Sequence, residues 1–166
     1  MKRYVQVFLL AVAFDLYWTL VVIFRERGLL LWLALAIIAW LMLSPAHRVY
    51  ALLLAVAGSG LDSLWALTGL IDFTGEWRFP LWMLALWLMF ASVWTAMTLT
   101  TTLPGWMLAL MATVGGPVAY MFGEHLGAIT FLEPTFIVVS WMAPGWLVLM
   151  LFFHIAIGRR SCEPRY

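Results

Sequence analysis

Three ionisable side chains in or beside apolar stretches of the sequence are the best candidates for chemistry: Asp62, Glu124 and His125. A carboxylate and an imidazole within hydrogen-bonding reach can act as an acid–base pair, and histidine titrates near neutral pH. We expect these three to converge as a candidate catalytic site. The alternative is structural, with Asp62 as a buried hydrogen-bond centre and the other two as solvated groups at a helix end.

Asp62 has neighbours that suit a buried carboxylate. On a helix, Gly58 and Trp65 lie on the same face as Asp62, at i−4 and i+3. Glycine permits another backbone to approach closely, and an indole N–H can donate to a carboxylate. The spacing therefore predicts Trp65 as a hydrogen-bond donor to Asp62.

Further residues are candidates for binding a ligand. Asp15 lies in the middle of an apolar run, where an acidic group costs about 2.5–3.5 kcal/mol on insertion scales and is expected to face the protein interior. Trp87 and Trp94, seven residues apart, predict an aromatic stripe that either walls an acyl-chain or isoprenoid site or serves helix packing. The candidate binding residues are Asp15, Trp65, Trp87, Trp94 and Tyr120.

Neither a metal site nor a cofactor is predicted. The histidines His47, His125 and His154 do not form a paired ligand motif. A zinc site assembled from His125, Glu124 and Asp62 remains conceivable, but nothing in their spacing predicts it.

The composition shows what kind of element must position these residues. Of 166 residues, 66% are hydrophobic and 10% charged, whereas a soluble domain has about 25% charged and under about 50% apolar residues. Lipid is the solvent that fits such a chain. The net charge of +1, without a basic cluster, gives no reason to expect nucleic acid as a partner.

Apolar runs separated by short charged or Pro/Gly segments predict an all-α polytopic transmembrane helix bundle with about six spans, in a single integral membrane domain over residues 1–166. Helices are required because an open strand edge in hydrocarbon would leave backbone groups unpaired. The second run is the shortest. The predicted spans are about residues 4–24, 29–43, 49–70, 80–99, 106–122 and 134–157.

Basic residues near the span ends predict the orientation, because Lys and Arg are enriched on the cytoplasmic side. With six spans, one side collects Lys2, Arg3, Arg48, Arg159, Arg160 and Arg165, and the other Arg25, Arg27 and Arg78. This distribution favours an orientation with both termini cytoplasmic, and the predicted location is the cytoplasmic membrane of a bacterium. If the second apolar run does not cross the membrane, the orientation of every later span is reversed.

One weak internal repeat is visible. The pattern Asp-x-x-Trp-x-Leu occurs at residues 15–20 and again at 62–67. A duplicated helix pair would produce such a pattern, as in transporters built from repeats, and so would chance.

The segment from Gly115 to Gly123 combines adjacent glycines with Pro117, which predicts a helix kink.

Three blocks of the sequence resemble a small bacterial multi-pass membrane family of unknown function. The family has no established activity, so the resemblance implies a membrane fold and no catalytic residue. The blocks are Gly58-x-x-x-Asp62; Pro80-x-Trp82 with Leu86-Trp87-x-x-Phe90-Ala91; and Gly116-Pro117-x-x-Tyr120-x-x-Gly123-x-x-Leu126-Gly127-Ala128.

Three functions fit these observations. The first is binding or modification of a lipid or other amphiphile at a polar pocket on the non-cytoplasmic side, with Asp62, Glu124 and His125 as the polar groups. The second is a non-catalytic membrane partner or assembly subunit. The third is a small transporter or permease component, with Asp15 and Asp62 carrying protons or a cation. Whether the protein is an enzyme stays open. The expected partners are membrane lipids, and a thin bundle is compatible with a homodimer or a larger membrane complex.

Overall fold

The computed structural model describes residues 2–75 and 79–161. A short 3₁₀ helix, Arg25–Gly28, joins the first two of six α-helices. The helices are α1 Lys2–Phe24, α2 Leu29–Met42, α3 Pro45–Leu67, α4 Leu81–Thr100, α5 Gly105–His125 and α6 Thr135–Ser161, and the strands are β1 Ile71–Phe73 and β2 Ile129–Phe131. Arg78 and Arg165, which were counted for orientation, lie outside the described residues, as do the side chains of Lys2, Arg159 and Arg160.

Five helical segments of the described chain are long and apolar enough to cross a membrane, so the predicted count of six is not matched. The first segment, Arg3–Met42, contains both of the first two predicted spans. The two merge because the charged 3₁₀ turn Arg25–Gly28 follows α1 directly and leads directly into α2, with no non-helical residue between them. α2 has 14 residues and is therefore about 21 Å long, shorter than the hydrocarbon core of about 30 Å.

The chain nevertheless reverses direction inside this first segment. The rings of Tyr17 and Trp32 pack edge to face with centroids 6.0 Å apart, and the Tyr17 hydroxyl donates to the Trp32 carbonyl at 2.9 Å. In a straight helix, residues this far apart in sequence would be separated by about 22 Å. The reversal occurs at Arg25, whose φ is +48°. α1 and α2 therefore form an antiparallel hairpin.

The surface of the bundle is apolar, as lipid contact requires. Large hydrophobic side chains are exposed on every α-helix, among them Tyr4, Leu30, Val56, Leu81, Val114 and Phe136. α4 is the central helix, packed against α1, α2 and α3, while α6 packs against α5 and α3. α5 and α6 continue through Pro117 and Pro144 as single helices. The membrane-spanning class thus agrees with the composition.

A short β-ribbon, absent from the all-α prediction, closes one end of the bundle. β1 and β2 pair antiparallel with Asp72 opposite Thr130. Gly69 and Gly127 precede the strands with φ values of +74° and +68°, the left-handed conformation that ends a helix in the Schellman motif. Both strands have the alternating pattern Ile-x-Phe, a signal too short to stand out between long apolar runs. The strands form here because both loops emerge at the same end.

The ribbon joins two units of the same design, α3–β1–α4 and α5–β2–α6. Each unit has a glycine under a tryptophan of its second helix: a Cβ at Gly58 would lie 2.3 Å from the Trp87 ring, and one at Gly116 2.3 Å from the Trp146 ring. The pattern Trp-Met-x-x-x-Trp-Leu occurs in α4 from residue 82 and in α6 from residue 141. The repeat therefore covers these four helices. Asp15, on α1, lies outside this repeat.

Candidate functional site

Asp62 is the centre of a buried polar cluster between the two units. Its exposed fraction is 0%. The indole Nε1 of Trp87 donates to its Oδ2 at 2.7 Å, and the Tyr120 hydroxyl donates to its Oδ1. Both carboxylate oxygens thus have a donor, each from a different helix, as expected for a polar group that would otherwise be unpaired among apolar side chains.

Small residues explain how these helices come close enough. Trp87 lies over Gly58, one turn before Asp62, where any side chain would collide with the indole ring. Tyr120 occupies the position in α5 that Asp62 occupies in α3, 58 residues earlier. The close approach predicted at Gly58 is therefore present, and α4 is the helix that uses it.

The predicted donor to Asp62 is a different tryptophan from the one observed. Trp65 does not bond to Asp62; its ring packs edge-on against Tyr120 with centroids 5.8 Å apart. The donor is Trp87, which the sequence suggested as part of an aromatic stripe. Trp65, at i+3, lies on the same helix face as Asp62. The neighbouring helix α4 packs against that face and supplies the donor, Trp87.

The aromatic stripe of α4 extends into a larger cluster. Trp87 stacks on Trp146 at a centroid distance of 5.1 Å, and Phe90 stacks on Trp94 at 5.4 Å. The Trp94 indole donates to His154 Nε2 at 3.3 Å. His154 is therefore tied to the stripe from α6.

Glu124 and His125 have other surroundings than the Asp62 carboxylate. Glu124 Oε1 accepts a hydrogen bond from the Phe131 amide at 3.1 Å, so it anchors β2 to the end of α5. His125 is exposed. Between described residues, no hydrogen bond joins Asp62 to either of them, so the structure does not bring the expected catalytic trio together through direct contacts. Within the described ranges, no group of three or more His, Cys, Asp or Glu side chains could hold a metal ion.

A cleft of about 660 Å³ lies between α1 and α5 with α4 as its floor. This volume is in the range of ligand sites, about 300–1,000 Å³. Asp15, Met111 and Phe122 line it and are exposed, so it opens on the lateral surface. Most lining side chains are apolar or aromatic, and include Phe14, Trp18, Trp87, Phe90, Trp94 and Tyr120.

Four of the predicted binding residues line this cleft: Asp15, Trp87, Trp94 and Tyr120. Trp65 and Asp62 do not line it; Asp62 lies behind two of its walls. The sequence reading missed Phe14 and Trp18, which flank Asp15 on α1. Phe14 and Trp18 are four residues apart and therefore lie on one face of α1 beside Asp15, which is the sequence pattern that could have identified them.

The family described as "Protein of unknown function (DUF2878)" matches the chain over residues 7–152. The match includes the three sequence blocks that suggested an uncharacterised family, and it covers both repeat units through most of α6. No curated protein and no solved structure matches the chain. The comparisons therefore supply a family and no activity.

Proposed function

Because the chain belongs to the DUF2878 family of proteins of unknown function, its activity has to be inferred from its geometry, and we propose that it binds a lipid or other amphiphile in the cleft between α1 and α5. The observation that carries the proposal is the cleft itself. It is large, mostly apolar, walled by aromatic rings and open on the side of the bundle. An amphiphile can enter such a cleft from the bilayer without crossing water.

In this proposal Asp62 positions the cleft wall and does not touch the ligand. Its two oxygens hold Trp87 and Tyr120, both of which line the cleft. Rings held from behind keep a fixed wall, which lowers the entropic cost of binding. Asp62 therefore serves binding through packing. Glu124 and His125, at the ribbon end, are available only to a headgroup that reaches beyond the cleft.

The proposed location is the cytoplasmic membrane of a bacterium, with both termini cytoplasmic. α1, α3 and α5 end at the β-ribbon, and α2, α4 and α6 begin near it; the Arg25 guanidinium donates to the Gly127 carbonyl at 2.9 Å. Ala128 and Ile129 at the ribbon line the cleft. The ribbon end of the bundle is the side with fewer basic residues. In this proposal the ribbon and the adjoining part of the cleft therefore belong to the non-cytoplasmic half.

A second candidate function is that of a membrane assembly subunit. The α1–α2 hairpin packs on α4, and no described element covers α6 in the equivalent way. Trp141, which repeats the buried Trp82, is 67% exposed. This face supports a protein partner or a dimer, while the cleft supports a lipid ligand.

The test of lipid binding is to fill the cleft. Ala119 lines it from α5, so Ala119→Trp places an indole where a bound chain would lie. We expect native mass spectrometry of the purified protein to show a retained amphiphile on the wild type and about tenfold less on the variant. A tenfold loss corresponds to about 1.4 kcal/mol of binding free energy.

The matched control is Val114→Trp on the same helix. Val114 is 67% exposed and does not line the cleft, so this variant should keep the wild-type amount of bound amphiphile. Equal retention by both variants, or no retained amphiphile on the wild type after extraction into mild detergent, would contradict the proposal.

A further inference from the structure

The charge and hydrogen bonding of the cleft determine which headgroup it suits. Asp15 is the one charged residue that lines it; among the described residues no lysine, arginine or histidine does so. The cleft therefore has an acidic side chain without a cation from the protein beside it.

The Asp15 carboxylate has no partner within residues 2–75 and 79–161. The nearby Thr19 hydroxyl donates to the backbone carbonyl of Asp15 at 2.8 Å and is not available to its side chain. Acidic groups within membrane spans normally pair with another group. An unpaired carboxylate that lines a cleft is thus a feature that a ligand can complete.

Asp15 lies at the depth of the aromatic walls. The rings of Phe14 and Phe90 are 5.7 Å apart, and the Tyr17 hydroxyl, which donates to the Trp32 carbonyl, also lies 3.4 Å from the Ala85 carbonyl oxygen. α1 and α4 therefore run antiparallel, with Asp15 level with the segment between residues 85 and 90. Trp87 lies in that segment and lines the cleft with Asp15.

Three of the polar groups in these walls are already used inside the protein, whereas the buried Nε1 atoms of Trp82 and Trp146, which also line the cleft, have no partner among the described residues. The Trp87 indole N–H and the Tyr120 hydroxyl both donate to Asp62, and the Trp94 indole donates to His154. Their rings are consequently available to the cleft as aromatic surfaces rather than as hydrogen-bond donors. Aromatic surfaces near a carboxylate attract a cation, through the ring quadrupole and through the charge.

Building on the proposed function, we propose that the cleft selects an amphiphile with an ammonium headgroup, whose cation pairs with Asp15 among the rings of Trp18, Trp87 and Trp94 and whose chain follows the apolar floor. The carboxylate accounts for the charge preference and the rings for the tolerance of a methylated ammonium. A carboxylate or sulfate headgroup would be repelled by Asp15.

The test uses the full chain in a non-ionic detergent and three dodecyl probes with a terminal bromine, bearing a trimethylammonium, a hydroxyl or a carboxylate headgroup. Bromine quenches tryptophan fluorescence, and Trp18, Trp87 and Trp94 line the cleft. We expect the ammonium probe to bind about tenfold more tightly than the hydroxyl probe, and the carboxylate probe to bind most weakly.

Asp15→Asn should remove the difference in affinity between the ammonium and hydroxyl probes. Asp72→Asn, an exposed carboxylate on β1 outside the cleft, is the matched control and should keep the difference. Equal binding of all three probes to the wild type, or a charge preference that survives Asp15→Asn, would overturn the ammonium assignment.

Ala119→Trp separates this inference from the proposed function. If the hydroxyl probe shows saturable quenching that Ala119→Trp abolishes, the cleft binds amphiphiles whatever the outcome at Asp15. If no probe shows saturable quenching that depends on Ala119, the amphiphile site and its headgroup preference are both overturned.

Discussion

Asp62 is the buried acidic residue at which three helices meet. Its carboxylate accepts hydrogen bonds from two helices and is fully enclosed. Removing an acceptor that satisfies buried donors costs more than the hydrogen bonds contribute, since the donors stay buried and unpaired. At this residue, stability and the shape of the cleft depend on the same contacts.

We expect Asp62→Leu to destabilise the protein by about 1–3 kcal/mol, because it leaves the Trp87 indole and the Tyr120 hydroxyl unpaired. Asp62→Asn should cost less than about 1 kcal/mol. The amide oxygen can accept from Trp87, and the amide N–H can donate to the Tyr120 oxygen, since a tyrosine hydroxyl both donates and accepts. Thermal unfolding of the purified proteins in one detergent measures both changes. A loss for Asp62→Asn as large as that for Asp62→Leu would show that the negative charge itself is required.

At the scale of the elements, the two repeat units depend on the same contact between a glycine and a tryptophan. Gly58 lies under Trp87 and Gly116 under Trp146, and the two indole rings stack on each other at the centre of the bundle. Helices in membranes associate through small residues that allow close packing. The two units differ in the hydrogen bonding of these indoles. Trp87 Nε1 donates to Asp62, while the buried Nε1 of Trp146 has no partner among the described residues.

Substitutions at four glycines test this arrangement. We expect Gly58→Ala and Gly116→Ala each to destabilise the protein by about 1–3 kcal/mol, since the added methyl group would collide with a tryptophan ring. Gly60 and Gly115 are on the same two helices, and nothing lies within 4 Å of a Cβ at either position. Gly60→Ala and Gly115→Ala should therefore be neutral or stabilising by up to about 1 kcal/mol, because alanine favours the helix. Equal losses in all four variants, measured by thermal unfolding, would contradict this account of the helix contacts.

At the scale of the whole molecule, the topology places the β-ribbon at one end of the bundle and the α2–α3 and α4–α5 connections at the other. The start of α1 and the end of α6 belong to the second end. This follows from the hairpin at Arg25, since α2 returns the chain before α3 begins. The orientation in the membrane is therefore a single choice between two directions.

Single cysteines decide that choice. In a Cys162→Ser background, where Cys162 lies outside the described residues, Thr130→Cys puts a thiol on β2 and Thr102→Cys one on the α4–α5 connection; both threonines are exposed. If the ribbon is non-cytoplasmic, a membrane-impermeant maleimide should label position 130 in intact cells and position 102 only after permeabilisation. The opposite labelling pattern would invert the proposed orientation.

The sequence by itself determined the class of the protein and the approximate helices. Membrane placement follows from the summed hydrophobicity of each run, a local property, so composition and span length were enough to predict it. The greatest differences in the helix ends are modest: 49–70 was predicted for Pro45–Leu67, and 134–157 for Thr135–Ser161. The count of spans was less secure because α2 is short and continues from α1 through a 3₁₀ turn.

Tertiary structure alone decided which polar residues meet. The partners of Asp62 come from positions 25 and 58 residues away in the chain, and its local neighbour Trp65 contacts Tyr120 instead. Helix spacing specifies the face on which a side chain lies. The rotation and register of the helix packed against that face are set by contacts such as Gly58 with Trp87. For the same reason the sequence could not show that Glu124 accepts a hydrogen bond from the Phe131 amide, or that Asp15 lines the cleft.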